Sequence, residues 1–317
     1  MKKAVAYIDL LGFSKLVEQS LGDAVVVIAN ANTILSQHIF EKKIHPSSGY
    51  PDEIKEYAKD TSVESIEDYL PFSDSVFLTS SNCDDFVMQL GSFVRKCYTL
   101  TASHYIRPKD PLDPTKESIP NVIANDDGSC SLSEIDSHLY PALFRGGISY
   151  GEVENLTPMG IVGGKEQKMN TLAGEAVVKA VRLEESVRVK GPRLVFDNSL
   201  YSQLSEKTKK YCRKLPERPD LYEILWPMTS YISTNPYTGN FTDFYELFNS
   251  AYNLWIPHKD NPDVGLHYIR FMEIIIVSTI KAHDVFWKQK DSAIEKLTGF
   301  LQSKGIKDLF DYVLMPV

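Results

Sequence analysis

The chain has 317 residues, 43% of them hydrophobic, enough for one large domain or two ordinary ones with a sizeable core. Lys plus Arg number 34 against 42 Asp plus Glu, a formal charge of −8, which argues against nucleic acid or an anionic membrane as the main partner. Four cysteines (Cys83, Cys97, Cys130, Cys212) lie far apart without a C-x-x-C pair, which suits reduced thiols better than a zinc site or a disulfide framework.

The opening "MKKAVAYIDLLGF" places two lysines before an apolar stretch, but Asp9 interrupts it and no small-residue cleavage site follows, so residues 4–10 read as a buried strand. Residues 14–40 have helical spacing, with Ser14 placed as the cap. Residues 44–66 are polar and turn-rich. "DYLPFSDSVFLTSS" reads as two strands meeting at a tight turn around Ser73 and Asp74, and a helix follows over about 83–104. Residues 106–141, with five prolines and the run "NDDGSCS", read as an irregular surface insertion.

"ALFRGGISYGEVE" is a glycine-bearing strand, and "MGIVGG" after it reads as an optional further strand. "GEAVVKAVRLEESVRV" is a helix opening at Gly174, and "PRLVFD" and "LYEILWPM" are strands. From 241 onward the pattern is helical over about 241–255, 264–285, 291–303 and 306–314, with His283 expected on an exposed helix face. The apolar run "FMEIIIVSTI" is broken by Glu273 and too short to span a bilayer, so a soluble, cytoplasmic protein is expected. This order implies an α/β (α+β) sandwich, a mostly antiparallel central sheet flanked by helices, with a helical C-terminal extension. The expected division is 1–230 for the main domain and 231–317 for the extension.

Asp9 ends the first strand and Asp74 sits at a hairpin tip. If their strands are neighbours, the two carboxylates converge, and hard oxygen ligands of this kind suit Mg²⁺ or Mn²⁺. Taken singly, Asp9 is equally a helix cap and Asp74 an ordinary turn residue. "GGISYG" lacks the Lys-Ser/Thr of a P-loop, and the seven histidines show no metal-ligand spacing. Trp226, Trp255 and Trp287 read as core or interface residues.

"IDLLGFS" and "FSDSVFL" resemble the two metal motifs of the class III nucleotidyl cyclases. "FRGGISYGEV" resembles their R-x-G-I-x-x-G-x-V strand, with "GIVGG" as the turn after it. "AGEAVVKAVRLEE" resembles their G-x-x-V-N-x-A-x-R-[LM]-E helix. The motifs come in family order over residues 4 to about 200. The resemblance implies a homodimer with active sites at the interface, each holding two divalent ions on Asp9, Asp74 and the carbonyl of Leu10. It further implies N–H groups of Leu11, Gly12, Phe13 and Ser14 around the β- and γ-phosphates. Arg182, from the partner subunit, would face the α-phosphate, an arginine suiting the transition state by charge and planar shape. The plainer reading of Arg182 is a surface arginine paired with Glu184 or Glu185.

The departures from the family bear on the substrate. Leu70 stands where adenylate cyclases carry a purine-reading lysine and guanylate cyclases a glutamate. Thr171 stands at the second purine-reading position, where many adenylate cyclases have Asp but some bacterial ones also have Thr, so it decides nothing. Val178 replaces the asparagine that orients the ribose. An unmatched base edge in a dry site costs roughly 1–3 kcal/mol per group. Metal aspartates and arginine retained with the purine readout lost resembles the pyrimidine cyclases of the Pycsar antiphage systems. That resemblance implies CTP or UTP as substrate and cyclic CMP or cyclic UMP as a second messenger for an effector on another chain. Tyr50 is a candidate for narrowing the base pocket, or a loop aromatic packed on the domain. The alternatives are an adenylate cyclase with altered base readout and a catalytically silent nucleotide sensor.

Overall fold

The computed structural model describes residues 1–40, 65–124, 129–156, 159–162, 165–168, 171–186, 190–232 and 241–314. Strand β1 (Lys2–Leu10) lies inside a seven-stranded sheet, antiparallel to β3 (Ser75–Ser80) on one side and β6 (Phe144–Glu152) on the other. Strand β2 (Asp68–Phe72) forms one edge through its hairpin with β3. Beyond β6 come β11 (Leu194–Phe196), β13 (Tyr222–Ile224) and β12 (Cys212–Lys214), with β6–β11 the one parallel pairing in this sheet. The architecture is the expected α/β arrangement with a mostly antiparallel central sheet.

Successive strand residues face opposite sides. Ala4, Ala6, Ile8 and Leu10 of β1 join the main core, under helices α2 (Leu21–Phe40) and α3 (Cys83–Thr101). Helix α3 starts where Asn82 accepts the N–H of Asp85 (3.2 Å), with Asp84 and Asp85 in its first turn, both favourable at a helix start. On the opposite face, Val5 packs with Ala176 and Ala180 of helix α4 (Glu175–Ser186), and Tyr7 and Phe77 border this smaller cluster. Gly147 permits the contact. A Cβ there would run into the carbonyl of Ala180 and come within 2.7 Å of the Glu184 nitrogen. Helix α4 therefore lies directly on β6, with Val178 and Arg182, one turn apart, exposed on its outer side.

The C-terminal helices α5 (Thr242–Trp255), α6 (Pro262–Ala282) and α7 (Lys290–Ser303) share the main core. Ile274, Leu297 and Phe310 belong to the same buried cluster as β1, and Tyr98 packs edge-on against Phe271 at 4.7 Å. A buried charge network also ties α6 to the sheet. Glu273 lies 2.7 Å from Arg213, 2.5 Å from Arg270 and 3.1 Å from Arg193, while Glu223 on β13 lies 2.5 Å from Arg213.

Four local expectations change. Residues 14–40 form two helices, α1 (Phe13–Gln19) and α2, because the chain becomes extended at Ser20, whose Oγ accepts the N–H of Asp23. The cap of α1 is Gly12, left-handed at φ 78°, so Ser14 is inside the helix. Residues 106–141 contain a two-stranded ribbon, β4 (Lys116–Ala124) with β5 (Cys130–His138). In β5 the apolar side chains face outward, Leu132 being 78% and Ile135 48% exposed, so no buried period advertises that strand. The optional strand expected at "MGIVGG" does form, as β8 (Met159–Val162), paired with β9 (Lys165–Lys168). His283 is buried, stacked on Phe241 at 4.5 Å with Nδ1 2.8 Å from the Thr279 carbonyl. Aromatic packing here outweighs its polarity. Trp226 is core, as expected, and its indole N–H donates to the Pro192 carbonyl (2.7 Å).

Candidate active site

Asp9 lies opposite Ser75 across the β1–β3 pairing, and the N–H of Leu10 donates to the carbonyl of Asp74 (3.2 Å). The two aspartates, 65 positions apart, therefore stand side by side at one end of the sheet. Ser73 occupies the left-handed region (φ 57°) and turns the chain so sharply that Asp74 stays at the tip. The Asp9 carboxylate accepts from Ser75 Oγ at 2.8 Å and lies 3.4 Å from the guanidinium of Arg145. Tyr7, two residues back on the same face, shares a hydrogen bond with Ser75 (3.0 Å).

Burial pushes the Asp9 carboxyl pKa up. The Ser75 hydrogen bond opposes this, and the negative charge of Asp74 adds to it. Arg145 also reaches Glu184 on α4, with Nε 2.5 Å from the carboxylate. Burial raises the Glu184 pKa, and Arg145 acts against the rise. One guanidinium thus serves two acids on different elements.

Ser75 and Arg145 were not singled out in the sequence, and Glu184 only as a partner for Arg182, although a signal existed. Ser75 adjoins Asp74, and Arg145 is the charge within a glycine-rich buried strand. Arg182 itself is exposed and forms no ion pair with any described residue, because Glu184 is taken by Arg145. Helix α4 presents it outward, away from its own sheet.

The β1–α1 turn corrects one expectation. The N–H of Leu11 donates to the carbonyl of Leu143 (2.8 Å) and is therefore engaged within the fold rather than free for an anion. Gly12 has no side chain to cap the helix, and Phe13 and Ser14 are first-turn residues whose N–H groups have no carbonyl partner within it. Leu70 lies on β2 opposite Phe77, on the same sheet face as Asp9. Thr171 is exposed at the start of strand β10 (Thr171–Ala173), paired with β7 (Glu154–Leu156). That ribbon is fastened to β2 by Asn155, whose amide donates to Asp68 (2.7 Å) two residues before Leu70. Tyr50 lies outside the described residues. Among those residues no group of three or more His, Cys, Asp or Glu side chains could hold a metal ion. No described helix is long and apolar enough to cross a membrane.

No protein-family model matches the chain, and no curated protein matches it in sequence. Among solved structures, a bacterial light-regulated adenylyl cyclase aligns at a TM-score of 0.42 and 16% identity, over 78% of this chain and 56% of its own. This chain thus spans little more than half of that protein. An adenylate cyclase from Trypanosoma brucei aligns at 0.41 and 10% identity, over 74% and 92%. A guanylyl cyclase aligns at 0.38 and 14% identity, over 75% and 95%.

Proposed function

We propose that the protein is a nucleotidyl cyclase that converts a pyrimidine nucleoside triphosphate, CTP before UTP, to the 3′,5′-cyclic monophosphate and pyrophosphate. The observation that carries this reading is the pairing of Asp9 and Asp74 at the end of the sheet, in the chain order of the cyclase motifs. Residues 1–230 supply the catalytic unit and 231–317 a helical extension.

The residues present fit divalent cations. Asp9 ionises reluctantly because burial and Asp74 both disfavour its charge, and a cation between the two carboxylates relieves that repulsion. Asp9, Asp74 and the Leu10 carbonyl would hold Mn²⁺ or Mg²⁺ ions. Bound there, such ions lower the pKa of the ribose 3′-hydroxyl and offset charge on the departing pyrophosphate.

The chain's own groups do the rest. The N–H groups of Gly12, Phe13 and Ser14 receive phosphate oxygens. Arg145, already beside Asp9, places a positive charge at the edge of the same site. Arg182, outward-facing on α4, completes the site of a partner subunit in a homodimer, where its planar fork matches the equatorial oxygens of the reacting phosphorus.

Leu70 offers the base no donor or acceptor, so a purine edge stays unpaired there, and Thr171 lines the approach from the β7–β10 ribbon. The product acts as a second messenger in antiphage defence, read by an effector on another chain. This part of the proposal rests on the Pycsar resemblance. Incubating the full-length protein with Mn²⁺ and each of the four ribonucleoside triphosphates, with products identified by mass spectrometry, tests the reading. Cyclic CMP or cyclic UMP as the main product supports it. A purine cyclic nucleotide as the main product overturns the base assignment, and retained but unconverted triphosphate overturns the enzyme in favour of a sensor.

A further inference from the structure

Next to the β1–α1 turn, a cavity of about 600 Å³ opens between the end of the sheet and helix α6. That size falls within the roughly 300–1,000 Å³ of small-molecule sites. Its lining is mainly apolar and includes Tyr140, Pro141 and Tyr268, with the fully buried Tyr105 behind them. Two lysines, Lys15 and Lys190, also line it, and neither forms an ion pair with any described residue.

His267 also lines the cavity. Its Nδ1 accepts the N–H of Gly191 (3.0 Å), so the ring proton belongs on Nε2. Burial, with the charges of Lys190 and Arg145 nearby, pushes its pKa down to about 4 and keeps the ring neutral. The acids on the wall are Asp113, which already accepts from Thr115 (2.6 Å), and Asp263 in the first turn of α6. Asp9, Asp74, Arg145, Leu70 and Thr171 do not line this cavity, whereas Gly12 of the proposed phosphate-binding turn does, so the two sites adjoin there.

We propose that the cavity is a second ligand site, for a planar ring compound bearing one anionic group, and that its occupancy regulates the neighbouring cyclase site. The rings stack on the ligand and the lysines meet its charge. Coupling has a short physical route. Leu11 and Leu143, both on the wall, are hydrogen-bonded to each other (2.8 Å), and they continue the strands that carry Asp9 and Arg145. Pro192, also on the wall, precedes Arg193, whose carbonyl accepts the N–H of Gly146 (2.9 Å). A ligand pressing on these residues sets the position of both strand ends. The regulatory half of this inference rests on the cyclase reading, whereas the binding half does not.

The test is a fluorescence titration of the full-length protein with 8-anilinonaphthalene-1-sulfonate, an aromatic ring system with one sulfonate. Saturable binding at one site per chain is expected, weakened several-fold by Lys190→Ala and abolished by Val264→Trp, which fills the cavity from α6. Displacement by cyclic CMP identifies the reaction product as the source of this chemistry; lack of displacement assigns it to another aromatic acid, and both outcomes keep the site. Unsaturable binding, or binding that neither variant alters, overturns the proposal. So does displacement by a non-hydrolysable CTP analogue, which would make the cavity part of the substrate site. Saturating probe is expected to change turnover at least twofold, and unchanged turnover overturns the regulatory role. A protein that binds the probe but turns over no nucleotide refutes the cyclase reading and leaves the cavity standing as a ligand site.

Discussion

The N–H of Leu10 donates to the carbonyl of Asp74 at 3.2 Å, and that bond holds the Asp74 turn against the end of the strand carrying Asp9. Two carboxylates are thereby kept close although the charge of Asp74 raises the cost of ionising Asp9. Asp9→Asn and Asp74→Asn are each expected to reduce cyclisation to background while leaving the circular-dichroism spectrum unchanged. Full turnover in either variant would remove the metal assignment.

The same arrangement implies a stability effect of opposite sign. The folded-state pKa of Asp9 is raised, so its contribution is fully present below its unfolded value of about 4 and is lost as pH rises through the folded value. At neutral pH the ionised group therefore weighs against the fold. Asp9→Asn is expected to melt at or above the wild-type midpoint at pH 7, with the difference vanishing in acid. A clear drop in midpoint at pH 7 would contradict the pKa direction.

Because Arg182 points away from its own Asp9, an Asp9→Ala chain and an Arg182→Ala chain should complement each other. Arg182→Ala alone is expected to lose roughly 10³-fold or more in kcat. Co-refolded in equal amounts, the two inactive chains should recover about a quarter of wild-type turnover, since half the dimers then hold one intact site of two. No recovery would place the whole site within one subunit.

Glu273 is fully buried among Arg193, Arg213 and Arg270. Burial alone would raise its pKa, but the charges of Arg193 and Arg213 and hydrogen bonds from Arg213 and Arg270 bring it down to about 2. Its contribution is present above the unfolded value of about 4.3 and lost as pH falls through 2. Glu273→Gln leaves three guanidinium groups short of an acid and should cost about 3–5 kcal/mol at neutral pH. Urea unfolding followed from pH 5 to pH 2 should show a shallower loss of stability in the variant than in the wild type.

Gly147→Ala tests how closely α4 lies on the sheet. Its Cβ would collide with backbone atoms of Ala180 and Glu184, which cannot rotate away, so helix and strand must separate. A loss of about 1–3 kcal/mol is expected. Gly299→Ala, where nothing lies within 4 Å of the new Cβ, is the control and should leave the thermal midpoint unchanged or slightly raised. Equal midpoints for the two variants would show that α4 is not held there.

By itself the sequence determined the strands and helices that have one apolar face. The alternation of Ala4, Ala6, Ile8 and Leu10 against Val5, Tyr7 and Asp9 is written in residues 4–10, as is the helical stripe of Phe86, Leu90 and Phe93 in α3. It also marked Asp9, Asp74 and Arg182 as residues to watch, through motif order. It read the segment of the β4–β5 ribbon as an irregular insertion, since Leu132 and Ile135 of β5 are exposed and leave that strand no buried period. It misplaced His283, because nothing local reveals that Phe241 covers the ring.

Only the tertiary structure decided that β1 and β3 are neighbours, that Arg145 stands between Asp9 and Glu184, and that the Leu11 N–H is already bonded to Leu143. Periodicity reports which face of an element is dry, and it extends only along that element. Which elements meet, and which charge lies beside which, depends on contacts between residues more than 35 positions apart, where chain spacing carries no information.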